Sequence, residues 1–453
     1  ISYTSDRTLI DCIKINRTMK TNRVIKIFLA SSEELEADRY RFGNLIRKLD
    51  NIYEKRGIRI ELFEWEDYDA AYNGMRKQDE YNERVRASDM FLALFHKKAG
   101  KFTIEEFNIA RKAFDEQASP KIYTYIKDLE AGESESRELA EFKRLMLEEL
   151  GHYWCRYSNF DTMQLHFVLQ LQMVEATTPI KVEVKESQVK IGDSTIADLN
   201  NVPFTSENTT HKELKSRKEQ LDREIGNAES GGRRGFFGQR SRTTDEELAN
   251  LRAERESVTE QIERQEKALV DTAMSIARMQ GGECSSRMRT AAELFEKGET
   301  GKAEAVLKED DMEADATNAK LKFDTAAQPT AELARNIERC AGEYMLKARI
   351  VISGIADESR YLKAAKLMST AIDLVSGRLP EETLAEYLFD YAVLLTDAGQ
   401  QTKALETWER LSGIYERLYR KAPQKYAYGY AGVLNNMAVL YSNKGDFDRS
   451  EER

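Results

Sequence analysis

The spacing of hydrophobic positions changes character along the chain, and each change marks a structural unit. From Val24 onward, short apolar runs alternate with stripes of helical period. VIKIFLA (Val24–Ala30), IRIELFEW (Ile58–Trp65), MFLALF (Met90–Phe95), KIYTYIK (Lys121–Lys127) and HYWCRY (His152–Tyr157) read as strands. Leu35, Phe42, Leu45, Ile46 and Leu49 recur on one face of a helix that ends near Gly57. Further helices are expected before Met90, over about Arg137–Leu150, and over Asp161–Val174. Strands alternating with helices predict a doubly wound, flavodoxin-like sheet of five parallel strands over residues 24–176. The unbroken run Met90–Phe95 fits a strand buried on both faces. Residues 1–23 are polar and weakly patterned, as in an N-terminal arm.

Residues 177–206 shift to strict alternation. VEVKESQVKIGDSTIADL predicts a β-hairpin connector turning at Gly192–Asp193, closed by Pro203. Residues 207–282 are dense in Lys, Glu and Arg. Leu214, Leu221 and Ile225 share one helix; Leu248, Leu251, Val258, Ile262 and Leu269 share another, at near-heptad steps. The glycine-rich segment between them predicts an antiparallel coiled-coil hairpin. Its tip carries Arg233, Arg234, Phe236, Phe237, Arg240 and Arg242, and reads either as a loose loop or as a partner contact. Residues 283–453 read as helix pairs. Ala292, Phe295 and Gly298 precede Ala303; Ala392, Leu395 and Gly399 precede Ala404; Ala438, Tyr441 and Gly445 begin the motif again. With Tyr387, Tyr391, Leu405, Trp408 and Tyr415 as packing positions, this resembles degenerate tetratricopeptide repeats, which stack into a concave binding surface.

Composition narrows the class. At 453 residues the chain should divide into about three units. A net charge of −10 argues against broad nucleic-acid binding, and 33% charged residues with only 6 prolines suit a mostly helical protein. Cys12, Cys155, Cys284 and Cys340 are far apart, show no metal-ligand spacing, and read as free thiols of a reducing cytoplasm. No apolar run approaches the roughly 20 residues of a membrane span, and no secretion signal is visible. The chain starts at Ile1 and ends at Arg453 inside a helical pattern, so the natural protein is expected to be longer. Phosphate-binding GxxxxGK[ST], GxGxxG and serine-elbow motifs are absent, which removes P-loop ATPase, Rossmann dehydrogenase and serine-hydrolase readings.

The chemistry concentrates in Ser88–Ala110. Thr103 is expected to open a helix carrying Glu105 and Glu106 in its first turn, just past the C-terminal end of a central strand, where such sheets keep their ligands. Alone, such a pair merely complements the helix dipole. Ser31 and Ser32 are N-cap candidates after the first strand. His96 has no partner in sequence that would make it a general base.

IFLASSEEL, the loop after FEWED, SDMFLALF and TIEEFNIA together resemble a bacterial TIR-like domain over about residues 24–176. The resemblance implies cleavage of NAD at the nicotinamide–ribose bond by one glutamate in the helix after the third strand. Glu106-Phe107-Asn108-Ile109-Ala110 matches that pattern better than a reading from Glu105, which points about 100° away. A carboxylate there would stabilise an oxocarbenium-like ribosyl cation. Substrate would be held by Phe28, Ser31, Ser32, Trp65, Asp67, Tyr68 and Lys101, with Trp65 and Tyr68 stacking on rings and Lys97, Lys98 and Lys101 facing the diphosphate. NAD is then a substrate, with no cofactor and no metal implied. The resemblance implies a cytoplasmic effector of prokaryotic antiviral immunity, activated by self-association that orders the loop Glu66–Lys77, with a protein trigger on the helical repeats. Two alternatives stand beside it: a non-catalytic signalling scaffold, and production of a cyclic ADP-ribose-type signal.

Overall fold

A computed structural model describes residues 23–64, 77–150, 154–174, 181–231, 245–279, 284–354 and 358–444. Strands β1 (Arg23–Ser31), β2 (Ile58–Phe63), β3 (Met90–Phe95), β4 (Lys121–Lys127) and β5 (Trp154–Tyr157) form one parallel sheet in the order β2-β1-β3-β4-β5. This is the flavodoxin order, with its switch point between β1 and β3. A short 3-10 turn (Glu33–Leu35) leads from β1 into α1 (Glu36–Glu54). Helices α2 (Lys77–Arg86), α3 (Lys101–Gln117), α4 (Arg137–Arg144, continued by a π-helical turn Leu145–Glu149) and α5 (Phe160–Val174) complete the layers.

All six residues of β3 are buried, because helices cover both faces. Met90, Leu92 and Leu94 join Phe42 and Phe167 under α1 and α5. Phe91, Ala93 and Phe95 join Val85, Phe107 and Phe142 under α2, α3 and α4. Strand alternation thus divides the domain into two cores.

The connector is a three-stranded antiparallel sheet: β6 (Val182–Lys185), β7 (Gln188–Ile191) and β8 (Ser194–Asp198). A single hairpin was expected. The additional turn is Glu186–Ser187, where both residues adopt positive φ (54° and 59°) without glycine to advertise it.

After the short α6 (Pro203–Ser206), helices α7 (Thr209–Gly231) and α8 (Asp245–Met279) run antiparallel, as shown by the ion pairs Arg217–Glu254 and Arg252–Glu229. Leu221, Val258 and Ile262, flanked by Leu214 and Leu251, form a small separate core. Leu269 leaves that seam and joins the main core. The arginine- and phenylalanine-bearing tip lies outside the described residues.

The remainder is helical: α9 (Ser286–Glu296), α10 (Thr300–Val306), α11 (Glu309–Thr325), α12 (Ala331–Ile352), α13 (Glu358–Val375), α14 (Glu381–Asp397), α15 (Gln401–Lys421) and α16 (Pro423–Lys444). From α11 onward each helix packs on the next. Gly298 and Gly399, at φ +80° and +69°, close α9 and α14 with paired bonds back to Phe295 and Leu294, and to Thr396 and Leu395. Ala303 and Ala404 are fully buried, so the next helix can approach closely. Trp408 sits edge-on to Phe389, with its Nε1 donating to Thr396 Oγ1 at 3.2 Å. Among the described residues no helix is long and apolar enough to cross a membrane.

Candidate functional site

The C-terminal ends of β1 and β3 lie side by side, with Ser31 in register with Leu94. Their loops meet through Glu34. Its Oε1 accepts from the backbone N–H of Lys97 (3.0 Å) and Lys98 (3.3 Å) and from Ser32 Oγ (3.3 Å). Paired amides of this kind form an anion site, and here the chain supplies its own carboxylate. Ser32 occupies the N-cap position, but its hydroxyl makes no capping bond. Arg39, buried beneath the two serines, donates from Nη1 to Ser31 Oγ (2.8 Å) and to Ser32 O (3.0 Å). The Ser31 hydroxyl oxygen thus accepts from Arg39, and the Ser32 hydroxyl donates to Glu34.

The polar rim continues across the sheet. Asp38, buried, accepts at Oδ2 from Lys127 Nζ (2.9 Å) and from Tyr157 OH (3.0 Å), at the ends of β4 and β5. Desolvation, and then the Asp38 charge, push the Tyr157 phenol far up, so it stays a donor. Lys97 Nζ lies 2.5 Å from Glu133, whose other oxygen is 3.3 Å from His96 Nε2. That contact raises the Lys97 ammonium and lowers the Glu133 carboxyl.

Helix α3 starts at Lys101, with Gly100 at its N-cap, two residues before the expected Thr103. Glu105 and Glu106 consequently sit in the second turn, beyond the reach of the strongest helix-dipole effect. Their surroundings differ. Glu106 is buried, on the α3 face that carries Thr103, Phe107 and Ala110 against the sheet. Glu105 is half-buried and turned towards α2, where Asn82 Nδ2 approaches its Oε1 at 3.5 Å. Lys101 lies on the outer face with Ile104, Asn108 and Lys112, along a shallow groove. Five residues of helix separate Lys101 from Glu106 by about 140°, so the two share no face. Phe28 is only 2% exposed and stacks on Phe91 at 5.8 Å, as core. Trp65, Asp67 and Tyr68 lie outside the described residues. Among the described residues no cluster of His, Cys, Asp and Glu has metal-binding geometry.

Of the expected residues, Ser31 and Ser32 are brought together at the switch point, and Glu106 is placed on the helix that follows it. Sequence reading missed Glu34, Asp38 and Arg39. A signal existed: Asp38 and Arg39 fall at the third and fourth positions after Leu35, on the stripe that continues to Phe42, where apolar residues belong. No protein-family model matches the chain, and no curated protein matches it.

Proposed function

We propose that the chain is a TIR-like NAD(+) glycohydrolase, acting in the cytoplasm as an effector of prokaryotic antiviral defence and switched on by self-association through its helical regions. The observation that carries this reading is Glu106: a carboxylate buried on the sheet-facing side of the helix that follows central strand β3 in a flavodoxin-order sheet. In the proposed reaction nicotinamide departs as a neutral ring, and Glu106 faces the ribosyl cation or holds a ribose hydroxyl until water attacks. The self-occupied amides of Lys97 and Lys98 fit a resting state in which Glu34 must move before a diphosphate can enter.

The test incubates concentrated, assembled protein with NAD and follows nicotinamide release. Glu106→Ala should lower the rate at least about a hundredfold, the loss typical for removing one transition-state contact. An unchanged rate in that variant overturns the residue assignment; absence of turnover in every assembly state overturns the enzyme. One observation favours a non-catalytic scaffold instead: Ser31, Ser32 and the β3–α3 amides are satisfied internally. That reading makes phenotype depend on surface loops and not on Glu106. Mass analysis of the product separates hydrolysis from a cyclic ADP-ribose-type signal.

A further inference from the structure

Between the sheet domain and the helical half lies a cavity of about 310 Å³, at the small end of the roughly 300–1,000 Å³ typical of ligand pockets. Trp154 and Leu169 form one wall, from β5 and α5; Phe204 and Ile276 form the other, from α6 and α8. Cys155 and His166 also line it. Cys155 Sγ is 2.9 Å from His166 Nε2, and Tyr125 OH is 3.0 Å from His166 Nδ1.

The imidazole tautomer follows from its neighbours. Ala277 O can only accept, so the Gln170 atom 3.1 Å from it is the amide nitrogen. That same nitrogen lies 3.3 Å from His166 Nε2, which therefore faces a donor and keeps its lone pair. The imidazole proton then sits on Nδ1 and is donated to the Tyr125 oxygen. Burial holds the Tyr125 phenol well above its ordinary range, so it remains neutral. Nε2 thus faces both the Gln170 amide and, more closely, the Cys155 thiol, in a ring oriented by a third group in the way nucleophile–base pairs are.

We infer that Cys155 is a nucleophilic thiol, activated by His166, whose cavity takes small apolar α,β-unsaturated carbonyl compounds. His166 Nε2 accepts the thiol proton while the sulfur pair forms a bond to the β-carbon. The displaced π pair becomes an enolate, and the imidazolium returns the proton to the α-carbon. The net change is addition of S–H across C=C; nothing is oxidised or reduced, and no co-reactant is required. The apolar walls select an apolar body, and Arg156 and Lys297, which line the cavity beside Asp128, Glu293 and Glu296, are the groups able to face the carbonyl. Both halves of the molecule line the cavity, so an adduct would wedge their junction. The thiol addition uses none of the residues assigned to NAD cleavage.

The full chain is treated with N-ethylmaleimide, and each cysteine is followed by peptide mass mapping. Cys340, a buried thiol that desolvation pushes up to about 11, is the internal reference. Cys155 should react at least about tenfold faster than Cys340 near pH 7. Its rate should level off below the ordinary thiol value of about 8.5. His166→Gln should slow Cys155 at least about tenfold while leaving the Cys340 rate unchanged. If Cys340 also accelerates, the variant has loosened the fold, and the wild-type pH profile decides. A Cys155 that stays unmodified in the folded chain, or whose rate climbs in parallel with Cys340 up to about pH 9, overturns the assignment.

Discussion

The two faces of the parallel sheet are covered alike but connected differently. Under α1 and α5, the core that begins at Ile25 and Phe167 runs without a break through β6–β8, the second half of α8 and on to Leu440 and Tyr441. Under α2, α3 and α4, the core of Phe28, Phe91, Phe107 and Phe142 is closed on itself. Glu106 stands over the closed core, and Cys155 belongs to the continuous one. A perturbation in the helical half therefore reaches one face through a shared core, and the other by way of the strands and the cavity edge at Leu147 and Trp154.

Cavities should separate the two faces most severely. Phe91→Ala and Phe167→Ala each remove a fully buried ring and should each cost about 3–5 kcal/mol. Hydrogen exchange should separate them: amides of α12–α15 exchange faster in Phe167→Ala and hold their wild-type rates in Phe91→Ala. Equal acceleration in both variants would mean that the two cores are one cooperative unit.

A polar tie on the continuous side gives a middle-sized effect. Glu266, fully buried on α8, accepts from Ser187 Oγ (2.7 Å) in the β6–β7 turn and from His211 Nε2 (2.9 Å) on α7. Burial alone would raise its carboxyl, but these hydrogen bonds and the Lys215 charge hold it below its ordinary 4.5. A depressed carboxyl contributes stability that is complete above the ordinary value and disappears as pH falls through the folded-state value. Glu266→Gln should thus cost about 1–3 kcal/mol at neutral pH and flatten the stability profile below about pH 4.5, as read by urea melts across that range. An unaltered acid limb would mean that Glu266 does not set the acid stability of the protein.

The smallest change is expected farthest from both cores. Arg252→Ala breaks the exposed pair with Glu229 on the α7–α8 hairpin and should cost less than about 1 kcal/mol, and nothing measurable at high salt. A larger loss would show that the hairpin leans on its ion pairs more than on Leu221, Val258 and Ile262.

Much of the architecture was legible from periodicity alone. Six apolar residues in β3 announce a strand covered on both sides, and the Leu35–Leu49 stripe announces α1, because burial leaves a local imprint. What escaped was set by backbone geometry or by distance along the chain. Gly100 caps α3 without a capping side chain, so Thr103 looked like the start. Glu186 and Ser187 turn the chain in a conformation usually marked by glycine or asparagine. Glu34 meets the Lys97 amide 63 residues away, a pairing that no local pattern encodes. For the candidate site, helical phase distinguishes Glu106 from Glu105, and the two do differ in burial; the burial of Phe28 at the end of β1 follows from the same alternation that makes β1 a core strand.

Helix α8 spans 35 residues, about 52 Å of uninterrupted rod at 1.5 Å per residue. Along its length it touches the small hairpin core at Leu251, the Glu266 cluster, α12 through Thr272, and the junction cavity at Ile276. A backbone of continuous hydrogen bonds is stiff along its axis, so these stations keep fixed spacing and move together. A tilt of about five degrees about the Glu266 cluster swings the far end of the hairpin by roughly 3 Å and shifts Ile276 by about 1 Å the opposite way. Helix α8 thus reaches farther on the hairpin side of the Glu266 cluster than on the side of the joint between the two halves, so any tilt about that cluster would displace the hairpin end more than Ile276.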